Sequence, residues 1–168
     1  MRWTGAGGAI LARAAGAVPR PLADRAATAL HEAGLEAEVV EDDDELWARQ
    51  REGQRGSAED VVVRVSGLQS RLEDVFTAAR RLDAEVVGRA ALGLCWVCLP
   101  RGGAEAVGEL RAALAPLSCV VLDAPPEVRA ALDPWGQVDA AAAELMRRVK
   151  ARFDPAGALS PGTFVGGL

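Results

Sequence analysis

Between Asp60 and Leu122 the chain switches hydrophobic period in a fixed order, and that order restricts the fold more than any other feature. Asp60–Ser66 (DVVVRVS) is β-branched and reads as a strand. Leu68, Leu72, Val75, Phe76, Ala79 and Leu82 then recur at helical spacing. Ala84–Arg89 and Ala91–Leu99 (ALGLCWVCL) read as two strands joined by almost nothing. Ala106, Val107, Leu110 and Leu114 mark one face of a helix over Gly103–Leu114, and Ser118–Leu122 (SCVVL) reads as a last strand. The order β-α-β-β-α-β predicts a ferredoxin-like unit, an antiparallel sheet with helices on one face.

The first part of the chain reads as a shorter echo of this unit. Met1–Gly8 is Gly-rich and predicts a loose start; its glycines fail the dinucleotide fingerprint, because position 10 is Ile and no strand precedes them. Ala9–Ala15 (AILARAA) reads as a strand. Leu22, Ala26, Ala29 and Leu30 form a helical stripe over Pro19–Ala33, which Gly34 stops. Glu36–Glu41 (EAEVVE) reads as a second strand, and Gln50–Ala58 as a polar connector. Ile10–Gly16 matches Val61–Gly67 in apolar positions, Arg and Gly, and each stretch leads through a helix to an Ala-Glu-Val-Val strand. The expectation is an α+β fold. It has a duplicated ferredoxin-like antiparallel sheet with helices on one face and a bare second face, followed by a C-terminal helix and tail. The corresponding divisions are 9–58, 59–123 and 124–168 of a single domain.

Charge and composition narrow the function. A formal charge of −5 on 168 residues, with no basic stripe before the last helix, argues against a nucleic-acid partner. No apolar run is long enough for a transmembrane helix, and Arg13 interrupts the only signal-peptide-like stretch. Three cysteines, an odd number, fit a reducing cytoplasmic compartment better than a disulfide scaffold.

The chemically capable groups have bland readings beside the sharp ones. Cys95 and Cys98 are spaced like a metal pair, but three residues apart on a strand they face opposite sides, so no metal site is expected there. The acids Glu41–Glu45 suit a helix N-terminus better than a cation, since no histidine or second acidic cluster accompanies them. His31, the only histidine, suits a surface role. Arg64 and Arg13 sit within strand-like stretches; each either faces solvent or pairs with a neighbouring acid, or captures a carboxylate in bidentate fashion. No self-sufficient catalytic constellation is visible, and the catalytic residues are unknown.

The C-terminal stretch is the most particular. Val138, Ala142, Leu145, Val149 and Phe153 form a helical stripe that predicts burial against a core. Arg147, Arg148, Lys150 and Arg152 crowd the last turns, and Pro155 forces the helix to stop at Asp154. With Leu132-Asp-Pro-Trp-Gly136 before it and Phe153-Asp-Pro-Ala-Gly157 then Ser160-Pro-Gly-Thr-Phe-Val-Gly-Gly-Leu168 after it, this region resembles the C-terminal domain of FAD-linked oxidases. These are vanillyl-alcohol-oxidase-type flavoproteins, and the likeness is greatest to the FAD-binding subunit of bacterial glycolate oxidase. Ser160 stands where that family usually has Asn, and Thr163 where it has Lys or Arg.

The resemblance implies a cap, or substrate, domain whose sheet lies over a flavin. FAD would be bound mainly by a domain of another chain, and the substrate would be a small 2-hydroxy acid of the glycolate type. It places Ser160, Pro161, Gly162 and Thr163 near the cofactor, and makes Arg64 and Arg13 candidates for the substrate carboxylate. A stand-alone module binding a small molecule or a protein, or an inactive remnant, are the alternatives.

Overall fold

The computed structural model describes residues 1–168. Six strands form one antiparallel sheet in the order β2-β1-β4-β5-β3-β6, with β1 Arg2–Thr4, β2 Gly7–Ala9, β3 Val61–Ser66, β4 Glu85–Arg89, β5 Leu94–Leu99 and β6 Ser118–Asp123. Six α-helices accompany them: α1 Pro19–Glu32, α2 Asp44–Glu52, α3 Leu72–Arg81, α4 Ala104–Leu114, α5 Pro126–Ala131 and α6 Ala140–Phe153. The α+β class with an antiparallel sheet is the one expected from the sequence. From β3 to β6 the elements follow the ferredoxin-like order, α3 opening with a 3-10 turn at Gln69–Arg71.

Alternation sorts the strand residues between two faces. Val61, Val63, Val65, Val86, Cys95, Val97, Leu99, Cys119 and Val121 point to one side and form the core with Val75, Ala78 and Ala79 of α3 and Val107, Leu110 and Leu114 of α4. All are buried, and the alanines of α3 let it lie close to the sheet.

The start of the chain corrects the expectation of a loose segment. β1 and β2 form a hairpin that extends the sheet beyond β4, and Trp3 packs on the core with its ring 5.5 Å from Phe76. One large, half-buried indole packed against the core outweighs the flexibility of the neighbouring glycines. The two strands expected at Ala9–Ala15 and Glu36–Glu41 do not form, apart from Ala9 at the end of β2. β1 already occupies the free edge of β4, so the first part of the chain joins the sheet through its hairpin and not through a βαβ piece.

Nor is the second face bare throughout. Gln50, placed by the sequence in a connector, lies in α2, is buried, and donates its side-chain amide to the Met1 carbonyl at 3.1 Å. Gly53 and Gly56 follow across Val87 and Val62. A methyl group on Gly53 would stand 2.9 Å from Val87 Cγ2, so the missing side chain permits this approach. The far part of this face, with Leu122 on β6, stays open.

The largest departure concerns α6. It ends at Phe153 as Pro155 requires, but no residue in it is buried, and Leu145, Val149 and Phe153 are exposed. Its apolar stripe faces away from the core of this chain.

Candidate functional site

Two surfaces carry the residues singled out above: the second face of the sheet, and the groove between α6 and the tail. On the first, Arg64 of β3 lies in register with Trp96 of β5 and Val120 of β6. Its Nε is buried without a hydrogen-bond partner. The Arg89 guanidinium lies over the Trp96 ring, 5.9 Å from its centre. A buried guanidinium nitrogen with no acceptor is costly unless a ligand or neighbouring chain supplies one.

Arg13 serves a separate cluster. Its Nη2 reaches Asp43 at 2.8 Å and its guanidinium lies 5.9 Å from the Trp47 ring, while Trp47 Nε1 donates to the other oxygen of Asp43 at 3.0 Å. Asp44 and Glu45 occupy the first turn of α2, where carboxylates answer the positive end of the helix. His31 is on the surface and accepts the Ala37 amide at Nε2, 3.2 Å away.

Cys95 faces the core and Cys98 the opposite side, so the two thiols do not converge. Burial pushes both up to about 11, with the charges of Asp60 and Glu85 adding to the effect at Cys98. At neutral pH they are protonated and poor nucleophiles. A cleft of about 350 Å³ beside Cys98 holds Arg2, Arg49 and Arg55 against Glu52, Asp60 and Glu85, a balance of charges that selects neither anion nor cation.

The C-terminal groove is more distinctive. Asp139 caps α6 by accepting the amides of Ala141 and Ala142, both at 3.0 Å. Asp154 closes the other end: it accepts the amides of Ala158 and Leu159 and the Lys150 ammonium at 3.1 Å. Those amides, then Lys150, hold its carboxyl below the ordinary 3.8. Lys150 also donates to the Leu159 carbonyl at 2.8 Å, which folds the tail back along the helix.

Ser160 and Gly162 turn the chain with φ of +43° and +75°, and Thr163 donates its hydroxyl to the Ser160 carbonyl at 2.8 Å. Trp135 anchors the end of this turn, its Nε1 donating to the Thr163 carbonyl at 3.2 Å and its ring meeting Phe164 edge-on at 4.9 Å. The result is an open groove of about 430 Å³ lined by Leu145, Val149, Leu159, Phe164 and Leu168, with Lys150 at its edge.

Arg111 of α4, not singled out from the sequence, holds this unit to the fold. Its guanidinium donates to the carbonyls of Cys119, Asp133 and Pro134, while the Val121 amide of β6 donates to Pro134 at 2.8 Å. The Asp133-Pro-Trp-Gly136 turn thus covers the β6 edge of the sheet and sets Trp135 beneath the tail. An arginine at helical spacing carries no sequence signal for bonds to carbonyls so far along the chain.

Residues 135–164 match the family model described as FAD linked oxidases, C-terminal domain. The match spans Trp135, all of α6 and the tail through Phe164, and it supports a C-terminal domain of an FAD-linked oxidase. No curated protein and no solved structure matches the chain.

An FAD pyrophosphate needs converging amides or unpaired cations. Two of the polar groups here are already engaged: Lys150 is taken by Asp154 and Leu159, and the Thr163 hydroxyl donates to the Ser160 carbonyl. The groove they border is lined mostly by apolar side chains, which does not suit a pyrophosphate.

Proposed function

We propose that the chain is the C-terminal substrate, or cap, domain of an FAD-dependent oxidoreductase of the glycolate-oxidising type, lying over a flavin held by an FAD-binding domain. The observation that carries this reading is a coincidence of position. The segment matching FAD-linked oxidases is the one that builds the α6–tail groove, where Leu145, Val149 and Leu159 stay exposed. An amphipathic helix of 14 residues with nothing buried is marginal in water, so covering its stripe would stabilise α6. The FAD-binding domain is the cover we assign to it.

FAD, when bound, supplies hydride acceptance. In this arrangement the open part of the second sheet face bounds the substrate space. Arg64, whose Nε lacks an acceptor, binds the carboxylate of a small 2-hydroxy acid. Arg13 is the second candidate and would have to release Asp43 to take part. Ser160 to Thr163 lie nearest the cofactor. Three reduced thiols agree with a cytoplasmic setting, and no helix is long and apolar enough to cross a membrane.

The test is expression of the chain together with an FAD-binding domain of an FAD-linked oxidase, joined to it or separate. A yellow complex that oxidises glycolate or lactate, with KM raised at least tenfold in Arg64→Met and kcat changed less, is the expected outcome. A chain that stays colourless with FAD, alone and with that domain, sinks the reading. Thermal stabilisation by a small acid without flavin would favour a stand-alone binding module instead.

A further inference from the structure

The second face of the sheet carries more positive charge than the chain neutralises. Alternation puts Arg64 and Ser66 of β3, Glu85 and Arg89 of β4, Leu94 and Trp96 of β5, and Ser118 of β6 on this side, opposite the core. Arg89 and Ser118 are exposed, and Arg64, Ser66, Leu94 and Trp96 are half-buried. Glu85 is the one carboxylate that β3, β4 and β5 present here, and Arg2 takes it at 3.0 Å. Neither Arg64 nor Arg89 forms an ion pair. Two unpaired guanidiniums on one open face suit an anionic ligand.

Their spacing restricts what that ligand is. Arg64 and Arg89 belong to the strands on either side of β5, and the register puts their Cα atoms about 12 Å apart. Leu94 and Trp96 form an apolar strip between them. The Arg89 guanidinium lies over the indole, which holds its plane and leaves its N–H edge free for a carboxylate. At the other end the Arg64 Nε lacks an acceptor, and Ser66 and Ser118, opposite each other in the ladder, bring two hydroxyls. A small acid with one carboxylate, held at one guanidinium, leaves the other unused. A slender acid with a carboxylate at each end uses both and lays its carbon chain on Leu94 and Trp96.

We propose that this face is a dicarboxylate site, Arg64 and Arg89 each taking one end of a 2-hydroxy diacid. In naming the diacid as the substrate this rests on the cap-domain reading, under which glycolate and lactate use the Arg64 end alone. The binding itself is a property of this chain.

Glutarate and pentanoate, equal in length but with two carboxylates and one, are the probes. In NMR titrations of the full chain, the Nε–H signals of Arg64 and Arg89 and the Trp96 Nε1–H signal should move with glutarate at concentrations at least tenfold lower than with pentanoate. Arg64→Met and Arg89→Met should each weaken glutarate at least tenfold, and Arg89→Lys, which keeps the charge without the fork, should weaken it less than Arg89→Met. Arg81→Met removes a cation from α3, on the helix-covered side, and should leave glutarate binding as in wild type. Backbone amide signals unchanged away from the substituted strand show that each variant is folded. An equal response to the two acids, or a glutarate response that survives Arg89→Met, would overturn the dicarboxylate site and leave the cap-domain reading standing. With flavin bound, 2-hydroxyglutarate should show a KM at least tenfold below that of 2-hydroxypentanoate. Glutarate binding as expected, in a chain that stays colourless with FAD and an FAD-binding domain, would overturn the diacid as substrate together with that reading.

Discussion

Gly93 and Gly108 show how unequal two identical residues are. Gly93 turns the chain into β5 with φ +59°, and a Cβ there would overlap the Gly67 carbonyl oxygen. Gly108 lies exposed within α4 with nothing near its Cα. Gly93→Ala should destabilise the protein by at least about 2 kcal/mol, through both strain and overlap. Gly108→Ala should stabilise it by roughly 0.5–1 kcal/mol, because only the entropy of the unfolded chain and helix propensity change. Urea melts of the two variants check both signs. Arg64 and Arg13 likewise share a residue type and a sequence setting. Only their tertiary neighbours separate them, Asp43 engaging one and nothing engaging the Nε of the other.

Among the elements, α6 is specified locally and left unfinished globally. Asp139 starts it, Pro155 ends it, and Asp154 ties its last turn to the tail. The Asp154 carboxyl is held below its ordinary value, so its contribution is fully present above that value and is lost as pH falls through the lowered one. Hydrogen exchange at Ala158 and Leu159, corrected for intrinsic rates, should therefore show constant protection above about pH 5 and a loss below about pH 4. In Asp154→Asn the protection should be weaker at neutral pH and flat across that range. The segment Glu36–Glu41 is the converse case: its strand-forming side chains were legible, but it pairs with no strand of the sheet.

For the molecule as a whole, the hairpin at the start closes one end of the sheet and the Asp133–Gly136 turn covers the other. Trp3 is the anchor of the first, packed on the core with Phe76 and with Arg80 5.8 Å from its ring. Trp3→Ala should cost about 2–3 kcal/mol and release the β1 and β4 amides to exchange first, as seen by denaturation and hydrogen exchange. The ferredoxin-like unit was legible because its periods are long and its strands β-branched. The hairpin was not, because strands of three residues, one of them Gly-Gly-Ala, carry no period, and what holds them is pairing with β4 and the packing of Trp3 on the core. The candidate site was legible as a motif, through the Pro, Gly and Trp positions of the tail. Its bond to the fold through Arg111 was not, since carbonyl acceptors leave no mark on side-chain pattern. By itself the sequence determined the strand and helix order from Asp60 to Leu122, the ends of α6 and the class of the tail, all of which depend on neighbours a few residues away. Only the tertiary structure decided which strands find a partner, which face of the sheet stays open and which apolar stripe stays exposed. Those depend on edges and surfaces that distant parts of the chain have already filled.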